Sequence, residues 1–143
     1  ALYAGGGVTA RDRERVEALM SAAGATVWLD QESQMDVVTA ISGSGPAYFF
    51  LLLEALESAG IASGLPSSTA RLLAVETARG AGLMAAESGE APAVLREQVT
   101  SKGGTTAAAL DVLEAAAVRD TFRRAVAAAT LRSAQLADEF GGA

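Results

Sequence analysis

The chain contains no cysteine and no histidine. Without thiols there is no disulfide framework, no thiolate nucleophile and no cysteine-held metal. Without imidazoles the Ser-His-Asp arrangement, histidine metal ligands and a histidine proton carrier are all excluded. Positive charge is scarce as well: 11 Lys and Arg stand against 17 Asp and Glu, a net charge of −6 with a pI near 4.6. No basic block tracks a phosphate backbone, so nucleic acid is not an expected partner. The longest apolar run, residues 46–53, falls short of the roughly 20 residues that a membrane span needs, so no membrane is expected either. Position 1 is alanine, not methionine, and no charged leader followed by an apolar stretch is visible. The expectation is a soluble, cytoplasmic protein, and the missing initiator methionine suggests a piece of a longer chain.

What is present is alanine, at 33 of 143 positions, with half of all residues hydrophobic and a mean hydropathy of +0.28. That content, with 20% charged residues, excludes intrinsic disorder. Aromatics make up only 5%. Such a composition favours helices whose small side chains let neighbouring axes approach closely. The length fits one domain with a core, or one domain plus a fragment of another.

Along the chain, Ala1-Leu2-Tyr3-Ala4 reads as a short strand broken by Gly5-Gly6-Gly7. Thr9 and Asp12 match a capping box ahead of the stripe Val16, Leu19, Met20, Ala23, a helix that Gly24 is expected to stop. Residues 25–29 read as a second strand. Strand, helix, strand is the grammar of a parallel sheet edge, but two strands do not make a stable sheet, so the segment looks like the tail of something larger. From Gln31 onward strand signals vanish. Helices are predicted over 33–41, 46–58 (stopped by Gly60), 66–87, 92–98, 105–116 and 118–140, with a loop at Ser42-Gly43-Ser44-Gly45 and a frayed Gly-Gly-Ala end. Residues 48–53 are apolar on every face and should be buried on all sides, which in so small a domain needs a partner subunit. Gly80 and Gly82 inside the 66–87 helix cost roughly 1 kcal/mol each relative to alanine, a cost that close helix packing would offset.

Two Gly/Ser-rich breaks open onto apolar helices, residues 42–47 and 100–106. In the second, glycines expose backbone N–H groups and the following helix presents its positive N-terminus, an arrangement suited to a carboxylate or phosphate. The competing reading is an ordinary loop whose threonine caps its own helix. In the first break Gly43 and Gly45 suggest a tight turn with touching backbones, and Ser44 a helix cap. Glu32 ahead of a helix suits the helix dipole, and Tyr48 reads as core. Arg119, Arg123, Arg124 and Arg132 read as a solvated or interface face. These features alone yield a mainly α domain with one anion loop and no reaction.

Taken together, the two segments resemble a known family. Val37-Val38-Thr39-Ala40-Ile41-Ser42-Gly43-Ser44-Gly45-Pro46-Ala47-Tyr48 is similar to the start of the helical domain of pyrroline-5-carboxylate reductases. Leu95-Arg96-Glu97-Gln98-Val99-Thr100-Ser101-Lys102-Gly103-Gly104-Thr105-Thr106, continuing to Leu113-Glu114, resembles the signature of the same family. Gly60 with Gly64-Leu65-Pro66, Arg79-Gly80-Ala81 and residues 129–133 extend the match along essentially the whole chain. The resemblance implies a helical dimerisation domain over 31–143, preceded over 1–30 by the last strand–helix–strand of a Rossmann half. It implies hydride transfer from NADPH or NADH to the imine carbon of 1-pyrroline-5-carboxylate, giving L-proline, with the cofactor bound mainly by a nucleotide domain whose G-x-G-x-x-G turn Gly5-Gly6-Gly7 does not supply.

By the same resemblance, Gly103, Gly104, Thr105 and Thr106 grip the substrate carboxylate, with Ser101 in the same loop. The Thr106 hydroxyl faces the ring nitrogen as the catalytic candidate, with water completing the proton relay. Glu32 helps enclose the substrate and Gln98 faces the cofactor. No metal is implied. A homodimer through the helical domain is expected, with higher assembly open. Lys102 departs from the family, which usually has proline there; lysine frees φ and restores an N–H. The alternatives are a non-catalytic helical interaction module and, more remotely, another Rossmann-linked imine or β-hydroxyacid reductase.

Overall fold

The structure is a computed structural model that describes residues 1–141. Two strands, β1 (Leu2–Tyr3) and β2 (Trp28–Leu29), flank the helix α1 (Ala10–Met20). They pair in parallel with Leu2 opposite Trp28 and Tyr3 opposite Leu29. The remaining helices are α2 (Gln34–Val38), α3 (Gly45–Ala62), α4 (Ser67–Glu87), α5 (Pro92–Gln98), α6 (Thr105–Ala115) and α7 (Val118–Gly141), with a π turn at Thr39–Gly43 between α2 and α3. The chain forms two compact units, Ala1–Gly45 with the segment from Arg123 onward, and Pro46–Phe122. The fold is thus mainly helical after a short β-α-β segment. Gly141 still belongs to α7, and the rest of the end expected to fray, Gly142 and Ala143, lies outside the described residues.

In the first unit the capping box forms as its residues dictate. Thr9 N–H donates to Asp12 Oδ2 at 3.1 Å, and Asp12 N–H donates to Thr9 Oγ1 at 3.2 Å. The helix ends at Met20, short of Gly24: the Ser21 hydroxyl donates to the Ala18 carbonyl at 3.1 Å, and such side-chain bonds compete with the helical ladder. α1 is tied to β2 through Trp28, whose indole N–H donates to Glu17 Oε2 at 3.1 Å while the Arg13 guanidinium lies 4.9 Å from the ring centre. A partly buried bond, from Ser133 Oγ to Asp36 Oδ1 at 2.8 Å, joins α7 to α2.

The loop expected at residues 42–45 is not a loop. Ser44 N–H reaches the Thr39 carbonyl at 2.8 Å, the i→i+5 bond of a π turn, so helical backbone runs on from α2 into α3. The Ser42 hydroxyl donates to the Val38 carbonyl at 2.9 Å. Ser44 is therefore not an N-cap, and a Cβ on Gly43 would meet only the Thr39 methyl, at 3.7 Å, with no second backbone nearby.

Gly60 does not stop α3 either. The helix ends two residues later, where Leu65 N–H donates to the Gly60 carbonyl at 3.0 Å and Gly64 N–H to the Ile61 carbonyl at 2.9 Å. That is a Schellman closure, with Gly64 at φ +100° in the required left-handed position. Gly60 instead serves the packing between helices. A Cβ there would lie 3.1 Å from that of Ala70, so the missing side chain lets α4 seat on α3.

The stretch Gln34–Ala62 is long and apolar enough to cross a membrane by length and composition, with a mean hydropathy of 1.3 in its best window and 11% of that window buried. The run of apolar residues taken alone does not show this, because the π turn joins two helices. The stretch carries Glu57, whose carboxylate is paired with Arg71 of α4 at 3.1 Å.

Burial is sparse. Among the described residues the buried apolar side chains are Ala40 in the first unit and Ala70 and Ala74 in the second, at 0%, 3% and 6% exposure. The residues expected to be covered on all sides are open: Phe49, Phe50 and Leu51 are 64%, 62% and 66% exposed. Tyr48 meets Phe122 edge-on, with ring centres 6.5 Å apart. The packing expected to offset Gly80 and Gly82 is also absent within the described residues, where a Cβ on either would meet open space. The chain exposes 10606 Å², about half as much again as the roughly 6,800 Å² expected of a folded monomer of its mass.

Candidate functional site

The candidate site lies in the second unit, in the segment that joins α5 to α6. Pro92 opens α5, where its missing N–H costs nothing. At the other end, Val99 N–H donates to the Leu95 carbonyl, Thr100 N–H to the Glu97 carbonyl, and the Thr100 hydroxyl to the Arg96 carbonyl. These bonds occupy the carbonyls a helix end leaves orphaned and turn the chain sharply. Gly103 then adopts φ +71°, and Gly104 N–H closes the turn on the Ser101 carbonyl at 3.0 Å. A Cβ on Gly104 would overlap the Ser101 hydroxyl, forcing it to rotate away, and would sit a tight 3.2 Å from the Ser101 carbonyl oxygen.

Gly104 is also the N-cap of α6, in extended conformation and with no side-chain cap bond. The first helical bond runs from Ala108 N–H to the Gly104 carbonyl at 3.2 Å. The N–H groups of Thr105, Thr106 and Ala107 therefore have no intrahelical acceptor, and they head a helix whose N-terminus carries about half a positive charge. The reading in which a threonine caps its own helix does not hold, because neither hydroxyl is in the cap position. Thr106, Ala107 and Gly104 are half-buried, whereas Ser101, Lys102, Gly103 and Thr105 are exposed. Chemically, such free N–H groups at a helix start can donate hydrogen bonds to an anion, and Thr106 adds a hydroxyl to the same turn.

Six of the sequence-predicted residues fall within this segment: Gln98, exposed at the last position of α5, then Ser101, Gly103, Gly104, Thr105 and Thr106. Glu32 belongs to the first unit, exposed in the turn ahead of α2, where its carbonyl accepts from Met35 N–H at 2.9 Å.

The same unit holds an ion cluster that sequence reading missed. The Glu114 carboxylate accepts from Arg119 Nε at 2.9 Å and Nη2 at 2.7 Å, and Arg96 Nη1 lies 3.9 Å away. The hydrogen bond from Arg119 and then the charges of Arg119 and Arg96 hold this carboxyl below the ordinary range, while Glu114 raises the Arg119 guanidinium. Arg119 thus does not simply belong to a solvated face. No local signal marks this pairing, since Ala115-Ala116-Ala117 favour continued helix, yet the turn there places Ala117 at φ +53° and brings Glu114 and Arg119 together across it.

This geometry can be set beside known proteins. The family description "Pyrroline-5-carboxylate reductase dimerisation" matches residues 32–136. The chain belongs to the pyrroline-5-carboxylate reductase dimerisation family. It is 48% identical over 98% of its length to a pyrroline-5-carboxylate reductase of Pseudomonas aeruginosa, of which it covers 51%. Against the enzyme of Arabidopsis thaliana it is 46% identical over 92% of its length and covers 48%. Its structure superposes on that of a pyrroline-5-carboxylate reductase from Coxiella burnetii with a TM-score of 0.90 at 41% identity, covering 94% of this chain and 50% of that one. A Plasmodium falciparum pyrroline carboxylate reductase, solved with NADP bound, gives a TM-score of 0.79 at 33% identity, with 90% of this chain and 49% of that one covered. The chain therefore spans about half the length of the pyrroline-5-carboxylate reductases it matches.

Proposed function

We propose that this chain is the dimerisation and substrate-binding portion of an NAD(P)H-dependent pyrroline-5-carboxylate reductase of proline biosynthesis, a soluble cytoplasmic enzyme. Residues 1–30 are the end of its nucleotide-binding half and residues 31–143 its helical domain. The observation that carries the reading is the Gly-Gly-Thr-Thr start of α6, with three N–H groups free of helical acceptors beside the Thr106 hydroxyl. A carboxylate on those amides is stabilised by the helix end and by hydrogen bonds to charge. A five-membered imine so anchored brings its ring nitrogen to Thr106, whose hydroxyl orients it and, through water, delivers the proton that the reduced nitrogen needs. Ser101 shapes the loop around Gly104, Glu32 helps enclose the ring and Gln98 faces the cofactor.

The nicotinamide supplies hydride when bound, but this chain's own residues do not fit its pyrophosphate. The helix start after β1, where a dinucleotide-binding turn would stand, is already occupied by Thr9 and the Asp12 carboxylate. NADPH or NADH is therefore held mainly by a nucleotide domain outside this sequence. The homodimer covers the open faces of α3 and α4, including the exposed Phe49, Phe50 and Leu51.

An amide-resolved NMR titration of this chain with L-proline tests the reading. Shifts concentrated at residues 101–106 and near Glu32 are expected, with Thr106→Val weakening them. No shift at tens of millimolar in a confirmed dimer overturns the carboxylate site and leaves a purely structural interaction module. The chain alone is expected not to oxidise NADPH in a pyrroline-5-carboxylate-dependent way.

A further inference from the structure

The loop that opens α6 carries the only lysine of the chain; every other cation among its 11 is an arginine. In the unit Pro46–Phe122 all four arginines are engaged by carboxylates: Arg71 by Glu57, Arg79 by Glu76, and Arg96 and Arg119 by Glu114. Lys102 is the exception. It is exposed, and no carboxylate among the described residues lies within ion-pair distance of it. This free cation stands in an acidic setting, since the unit holds nine carboxylate side chains against five cations and the whole chain has a net charge of −6. Such a field repels an anionic ligand unless a local positive charge opposes it. Lys102 also immediately precedes Gly103 and Gly104, which set the direction of the three free N–H groups of α6.

We propose that Lys102 is a specificity-determining residue of the carboxylate site, its ammonium supplying the counter-charge that selects a ring bearing a carboxylate over the same ring without one. The proposal rests on the substrate-site reading above. The helix end offers about half a unit of positive charge, which leaves part of a carboxylate unbalanced. An ammonium on a flexible four-carbon stem, with three donors and no competing carboxylate, follows the ligand into place and completes the balance. Because the lysine is exposed, the gain is that of a screened pair, modest and dependent on salt. A rigid residue at this position would shape the loop without supplying charge, so the substitution trades stiffness for electrostatic selection.

The test uses this chain as a dimer, titrated by NMR with L-proline and with pyrrolidine, the same ring lacking the carboxylate. Lys102→Gln is expected to raise the L-proline Kd about three- to fivefold, as for a partly screened pair. Pyrrolidine, a cation at neutral pH that an ammonium repels, should not bind more weakly to Lys102→Gln, and Lys102→Arg should remain near the parent. The parent's L-proline Kd should also rise between about 10 mM and about 1 M salt, where the Debye length falls from about 30 Å to about 3 Å, and Lys102→Gln should flatten that slope. An unchanged Kd in Lys102→Gln, or an equal rise for both rings, overturns the proposal while leaving the site intact. Failure of the unaltered dimer to bind L-proline overturns the site reading itself, and this proposal with it.

Discussion

At the scale of single residues, Ala117 is the costliest backbone choice in the described chain, the only non-glycine with positive φ, at +53°. A left-handed L-residue costs roughly 1–2 kcal/mol, which glycine avoids at some entropic expense in the unfolded chain. Ala117→Gly should therefore raise the unfolding free energy by about 0.5–1 kcal/mol, measured by urea denaturation; a loss would show that the Glu114–Arg119 pair, and not the backbone, sets this turn. Glu114 makes a second prediction. Its folded pKa is depressed by Arg119, so its contribution to stability is present above the ordinary carboxylate pKa and disappears as pH falls through the lower folded value. The stability gap between parent and Glu114→Gln should be full at neutral pH and shrink progressively below about pH 4.3. A gap independent of pH would mean the pair acts through packing alone. The Thr9–Asp12 box was legible because its partners are three residues apart, whereas Ala117 was not, because alanine carries no local preference for left-handed backbone.

At the scale of elements, two glycines that look alike in the sequence behave oppositely. Gly60 lies against Ala70, and a Cβ would stand only 3.1 Å from that neighbour's. Gly60→Ala should cost about 1–3 kcal/mol, the range for overpacking, despite the better helix propensity of alanine. Gly80, with nothing near its Cβ among the described residues, should show no such cost unless a second copy lies against it. Circular dichroism with chemical denaturation of both variants separates the cases, and equal effects would sink the distinction. The π turn at Thr39–Gly43 was misread for a related reason: Gly and Ser in sequence signal a break, but a buried Ala40 and one i→i+5 bond keep the helix going. Local propensity proposes an interruption there, and packing decides its form.

At the scale of the whole molecule, the surface is the dominant fact. With three alanines as the buried apolar side chains among the described residues, each unit has little core of its own to hold it as an ordinary monomer is held. Its excess exposed area is of the order that obligate homodimers bury. Folding and association should then be coupled, so Tm should rise with protein concentration, and Phe50→Glu should lower it sharply at a fixed concentration. A Tm independent of concentration, with Phe50→Glu near neutral, would refute the coupling. A shallow hollow of about 640 Å³ lined by Val27, Leu29, Val37, Val38 and Ile41 leaves apolar surface open in the first unit as well.

Helical content, most element boundaries, the parallel strand–helix–strand opening and the Gly-Gly-Thr-Thr loop are all encoded locally, in alanine abundance, capping residues and glycine placement. They can be read one window at a time because each depends on contacts within about one helical turn. The absence of thiols and imidazoles likewise narrows the chemistry before any fold is known. What the tertiary arrangement alone decides is which groups find no partner among the described residues: the three N–H groups that head α6, the lysine beside them, and the aromatic face of α3. Satisfaction is a property of neighbours, and neighbours distant in sequence are fixed only when the chain has folded.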